Sequence, residues 1–205
     1  GIIAAKNSLA LCVPCAGHSL NLAGKSAVDC CPVATKFFDF VQKLYVYFSR
    51  SPHRWKALTD VLSSTHSPVV KRLCDTRWCA HADATKALLA GYASIKKALE
   101  ELSNDPQQKP ESRLEASNLV DLMENLETGI MTALWSEVLQ KFNTISVMIQ
   151  DPQLDLNSAV SLFDGLIDFT ASQRSRFQYF EIKGKELTGN AMYLGETCHI
   201  RKRHA

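Results

Sequence analysis

Apolar residues recur at spacings of three and four along most of this chain, the pattern of amphipathic α-helices. The clearest segment is 37–48, where Phe37, Val41 and Leu44 repeat on one face. Ser51 and Pro52 then predict the start of a new helix, with serine as its N-cap and proline as its first residue. The helix that begins at Pro52 is predicted to bury Trp55, Leu58, Val61 and Leu62. Further helices are predicted over 18–31, over 78–102, over 119–149 as one continuous run, and over 156–170 with an extension to 180.

Little else in the pattern suggests strands or repeats. Residues 9–13, a short apolar run before Pro14, are the one segment that fits a buried strand. The segment 103–110, which holds two prolines and several amides, is the strongest candidate for a linker. From Lys183 the chain is polar and punctuated by glycine. We therefore predict divisions at 1–103, 104–182 and 183–205, the last being a polar basic tail or linker.

Charge is distributed unevenly, although the formal net charge is only +2. Residues 1–103 hold 13 Lys and Arg against 7 Asp and Glu, a net of +6. Residues 104–200 hold 7 against 14, a net of −7, and Arg201, Lys202 and Arg203 follow. A polyanion would be attracted to the first part and repelled by the second. The alternative is that solvated helix faces differ by chance.

The sequence also indicates the cellular compartment in which the protein is expected. No run of 18 apolar residues occurs, so no membrane-spanning helix is predicted. The first residues lack the basic flank of a signal peptide. Because the seven cysteines are an odd number in a chain without a secretory signal, we expect them to be reduced in an intracellular compartment.

Two short motifs carry candidate chemistry. Cys12, Cys15 and His18 have a spacing that suggests zinc, but structural zinc needs four ligands and no second close pair follows. The alternative is a buried cysteine beside a histidine whose ring nitrogens bond to the backbone. Farther on, Arg77 and Trp78 offer a planar cation and a large aromatic face, groups that hold a phosphate and stack on an unpaired base. Their alternative is structural, with the tryptophan in the core and the arginine capping a helix.

Taken in order, these motifs resemble the hAT transposase superfamily. The first match is Cys15-Ala16-Gly17-His18-Ser19-Leu20-Asn21-Leu22, the second is the stretch 49–55, and the third is Thr76-Arg77-Trp78. The resemblance covers roughly residues 9–203 and is strongest over 12–102. Among transposon-derived members it is closest to the zinc finger MYM-type group.

The resemblance implies a ribonuclease H-like core interrupted by a large helical insertion. We therefore expect a mainly α chain, a helical insertion domain attached to a partial ribonuclease H-like α/β core. In a complete transposase two Asp and one Glu bind divalent metal, Mg or Mn. None of the residues before Cys15 is acidic, and the family's Glu follows the insertion. The resemblance thus implies no catalytic residue, no metal site and no cofactor in this chain.

The resemblance also implies roles for the matched residues. Arg77 and Trp78 would contact DNA, with Trp78 stacking on a flipped base. Cys15, His18 and Asn21 would form a structural motif that braces the core.

Three hypotheses of function follow. The leading one is a non-catalytic fragment of a hAT-like, transposon-derived nuclear protein that contacts DNA weakly or binds a partner protein or a second copy of itself. The second is part of an active DNA transposase whose catalytic carboxylates lie outside this chain. The third is a helical protein-interaction module without DNA binding. None of the three involves a membrane.

Overall fold

The protein is mainly helical in the residues that its computed structural model describes, which are 6–7, 15–74 and 78–189, and 65–74 is the longest non-helical stretch among them. Within them the chain forms a series of α-helices joined by short turns, with one 3₁₀ turn, Gln173–Arg176, before the last helix. We number the helices α1 (Ala16–Asp29), α2 (Pro32–Ser49), α3 (Pro52–Ser64), α4 (Trp78–Asn104), α5 (Pro110–Glu124), α6 (Leu126–Met148), α7 (Leu156–Ser172) and α8 (Phe177–Thr188).

Proline and capping residues set the helix starts. Pro32, Pro52 and Pro110 each stand at the first position of a helix, where the missing N–H removes no hydrogen bond. Ser51 occupies the N-cap of α3 as predicted, although its side chain makes no capping hydrogen bond. Asp155 does cap α7, where its carboxylate accepts from the backbone N–H of Ser158.

The predicted fold class is confirmed at its coarser level. The protein is mainly α, and no strand occurs within the residues described above. The expected strand at 9–13 lies outside those residues, and a ribonuclease H-like α/β core is not seen in the rest. No helix in the described part of the chain is long and apolar enough to span a membrane.

One hydrophobic core crosses the segment that was predicted to be a linker. Leu88, Ile95 and Leu99 on α4 belong to the same buried cluster as Leu119 and Met123 on α5. The connection between these two helices is therefore a short turn on one core. The remaining large members of this cluster come mostly from α2 and α3: Phe37, Phe38, Phe40, Val41, Leu44, Tyr47, Phe48, Leu58 and Leu62.

Three predicted element boundaries are wrong. The run 119–149 is two helices, because Asn125 leaves the helical conformation and its side chain caps α6 by accepting from the Glu127 N–H. The helix from 156 does not extend to 180, because a 3₁₀ turn separates α7 from α8. The polar tail does not begin at Lys183, because α8 continues to Thr188 and buries Gly184.

Candidate functional site

The first motif lies on α1, a helix at the edge of the main core. Its buried side is formed by Gly17, Leu20, Gly24 and Val28, which repeat at helical spacing. Cys15 and His18 lie on other faces and are exposed. The interpretation that Cys15 is buried beside His18 is therefore wrong. The bracing role that the resemblance implies for these two residues stays a prediction.

Asn21 joins the first motif to the second. Its side-chain oxygen accepts a hydrogen bond of 3.4 Å from the backbone N–H of Trp78, 57 positions later in the chain. Trp78 is the first residue of α4 in the described structure, and N–H groups in a first helical turn have no partner within their own helix. Asn21 therefore satisfies one of these donors from another helix.

The indole of Trp78 packs against α1 at Gly24, where the helix has no side chain. A Cβ atom built on Gly24 would lie 3.0–3.3 Å from three atoms of the indole, so the ring rests almost on the backbone of α1. On the same indole His81 stacks with ring centroids 4.3 Å apart and planes 23° apart. Phe38 meets it edge-on at 5.8 Å. Glycine at position 24 is required for this close approach.

Trp78 is only 7% exposed. Its indole Nε1 has no hydrogen-bond partner, although it is buried. A buried donor without a partner costs about 1–3 kcal/mol. This cost offsets part of the stabilisation that the indole gains from its contacts with other rings. In this conformation a nucleic-acid base reaches the indole only after the ring moves or its neighbours separate.

A cleft of about 810 Å³ lies beside His81. It runs between α1, α2 and the segment 71–74, where the side chain of Gln42 accepts a hydrogen bond of 3.1 Å from the Leu73 N–H. Charged side chains of both signs line the cleft, so it favours neither an anion nor a cation. Its polar lining residues are Asp29, Thr35, Asp39, Gln42, Arg72, Cys74 and His81.

Two exposed lysines near the cleft are carried by α2. Lys36 and Lys43 stand seven positions apart, which places them on the same side of the helix, with the exposed Asp39 between them. None of the ion pairs formed by the described residues includes either lysine. Arg72 is exposed at the rim of the same cleft. These cations are therefore available to a polyanion.

Three of the sequence-predicted groups lie outside the described residues. These are Arg77 and the possible zinc ligand Cys12, together with the basic tail at 201–203. Among the side chains that are described, no group of three His, Cys, Asp or Glu is placed to hold a metal ion.

Sequence reasoning missed Gly24 and His81. Gly24 had a weak signal, since a glycine inside an apolar helical stripe costs stability relative to alanine and indicates close packing. His81 lies three positions after Trp78, on the same face of α4, and that spacing could have pointed to it.

Comparison with known proteins gave no match to a family model, to a curated protein or to a solved structure.

Proposed function

We propose that this chain is a non-catalytic part of a hAT-like, transposon-derived nuclear protein, and that its direct activity is weak contact with DNA. The observation that carries the proposal is the contact between Asn21 and Trp78. These two residues belong to separate motifs of the hAT resemblance. Their contact supports the idea that the motifs form one unit and did not arise independently.

The DNA contact would be mainly electrostatic. Lys36, Lys43 and Arg72 supply exposed positive charge on the basic side of the chain, and Arg77 is a further proposed phosphate contact. About four phosphate contacts correspond to a roughly 50- to 150-fold loss of affinity between 50 and 200 mM salt.

A titration of labelled single- and double-stranded DNA tests this. Fluorescence anisotropy with the 205-residue protein should show binding that weakens with salt by about the factor given above. Lys36→Glu combined with Lys43→Glu should weaken binding further. The matched control is Lys109→Glu, because this exposed lysine lies in the acidic part of the chain. Salt-independent binding, or an equal effect per substitution at position 109, would contradict the proposal.

A second candidate is a helical protein-interaction module without DNA binding. The burial of Trp78 favours it, because a tryptophan packed between Gly24 and His81 has a structural role already. Trp78→Ala should cost about 3–5 kcal/mol in the free energy of unfolding in either case. DNA affinity measured at a temperature where the variant remains folded separates the two: a loss favours the DNA-contact role of Trp78, and unchanged affinity favours the module.

A further inference from the structure

Helix α7 has far more apolar side chains than it buries. Nine of its seventeen residues are Leu, Ile, Val, Phe or Ala, but Leu166 alone among them is fully buried. Leu156 is 79% exposed, Val160 51% and Ile167 63%. Single exposed apolar residues are common on proteins, but several on one face of one helix indicate an interaction surface.

The exposed residues lie on one line along the helix. Leu156, Val160, Phe163 and Ile167 follow one another at spacings of four, three and four, so they project from the same face. We call these four residues the α7 stripe. Phe163 is half-buried, because it borders the neighbouring face, where Leu166 packs with Ile145 of α6 and Leu20 of α1. The helix therefore docks on the protein with one face, while Leu156, Val160 and Ile167 on the adjacent face stay exposed.

The charged residues of α7 itself are all negative. Asp164 and Asp168 are exposed, and α7 contains no lysine or arginine. Asp164 stands one turn after Val160 and three positions before Ile167, so the acidic row borders the stripe on its solvent side. The third carboxylate at this helix, Asp155, is already engaged as the N-cap of α7 by the Ser158 N–H and hydroxyl.

This charge pattern disfavours a second copy of the chain as the occupant. In an antiparallel two-fold contact between two copies of α7, each flank of one helix faces the same flank of the other. Two stripes packed together in that way would bring the row of Asp164 and Asp168 against the same row of the other molecule. Like charges brought together in an interface are destabilising.

We propose that the α7 stripe binds an amphipathic helix of another protein that carries Lys or Arg beside its apolar face. Two helices meet in this way through apolar positions three and four apart, and the flanking charges select the partner. The proposal rests on protein association, the second candidate function, and not on contact with DNA.

The probes are two synthetic helical peptides of equal length with leucine at the same i, i+4, i+7 and i+11 positions. One carries lysine and the other glutamate beside the leucines. By fluorescence anisotropy, we expect the lysine peptide to bind the 205-residue protein at least tenfold more tightly than the glutamate peptide. Asp164→Lys together with Asp168→Lys should reverse that order.

The matched variants test the apolar part of the contact. Ile167→Gln should weaken binding of the lysine peptide at least tenfold, whereas Leu114→Gln should not, although Leu114 on α5 is equally exposed at 63%. Circular dichroism checks that both variants keep their helices. Neither substitution should change the affinity for DNA. The peptide-binding proposal can therefore fail while the DNA-binding proposal holds, and the reverse.

Three results would overturn the inference. The first is equal binding of both peptides, and the second is no binding of either. The third is a dimer, seen by sedimentation equilibrium, that Ile167→Gln dissociates and Leu114→Gln does not, since the occupant would then be a second copy of the chain.

Discussion

Tyr92 joins the two parts of the chain that the sequence divides at residue 103. It lies on α4, and its hydroxyl donates a hydrogen bond of 2.8 Å to the Met123 carbonyl at the end of α5. The side chain is buried, and this burial raises the pKa of the phenol far above its ordinary value. The hydrogen bond from Tyr92 to the Met123 carbonyl therefore depends on the phenol keeping its proton.

The raised pKa of Tyr92 predicts a loss of stability in alkali. The phenol of the unfolded chain ionises near pH 10.0, whereas the folded protein keeps the proton. The stabilisation is therefore complete below pH 10 and falls as the pH rises above it. Urea unfolding between pH 8 and 11 should show this decline, and it should be shallower in Tyr92→Phe, which also loses about 1 kcal/mol at pH 8 with the hydrogen bond. Parallel pH profiles would contradict the prediction.

The candidate site was only partly predictable at this scale. Trp78 and Asn21 were identified from their motifs, and their residue types alone suggest burial, stacking or hydrogen bonding. Their contact with each other was not predictable, because it depends on how α1 packs against the start of α4. The same is true of Gly24, whose importance comes from the indole that rests on it.

Two glycines let α6 and α8 approach each other closely. A Cβ atom on Gly184 would lie 2.7 Å from the Ile130 side chain and 2.8 Å from its backbone nitrogen. Gly129 on α6 likewise faces the Gly184 carbonyl. A bridge from Glu137 to Arg176 and Tyr179, with both contacts at 2.7 Å, holds the same pair of elements together. The hydrogen bond to Glu137 also raises the pKa of Tyr179.

Replacing glycine by alanine should change the free energy of unfolding in opposite directions at Gly184 and Gly165. Gly184→Ala should lower the free energy of unfolding by about 1–3 kcal/mol, because the added methyl group would overlap backbone atoms of α6. Gly165→Ala on α7 should raise it by about 0.5–1 kcal/mol, since nothing lies within 4 Å of its Cβ position. Chemical denaturation of both variants measures the difference. Equal effects would show that α6 and α8 are not in close contact.

The helix ends follow the same division between local and distant causes. Pro52 and the residues before it were sufficient to predict where α2 ends and α3 begins. The end of α8 also has a local signal, because Gly189 adopts a left-handed conformation with φ of 66° and its N–H donates to the Lys185 carbonyl. The polar sequence did not predict that α8 continues past Lys183 and packs Gly184 against α6.

In the molecule as a whole, residues before and after the 103–110 segment share one hydrophobic core. Separate fragments 1–104 and 105–205 would each expose the apolar face that the other covers, which costs about 25 cal/mol per Å² of apolar surface. We expect neither fragment to unfold cooperatively alone, whereas the intact chain should show one transition. Thermal melting followed by circular dichroism checks this, and two independent transitions in the intact chain would contradict it.

By itself, the sequence determined that the described part of this protein is helical and where α2 ends and α3 begins, because helical spacing and proline positions act within a few residues of one another. The side of α4 that is buried also follows from helical spacing, since Ala84, Leu88, Ile95 and Leu102 recur at intervals of four and seven and are all in the core. The tertiary structure decided which helices meet. It brought Trp78 onto Gly24, closed α8 on α6 and left the α7 stripe uncovered, because these arrangements depend on side chains that are tens of positions apart along the chain.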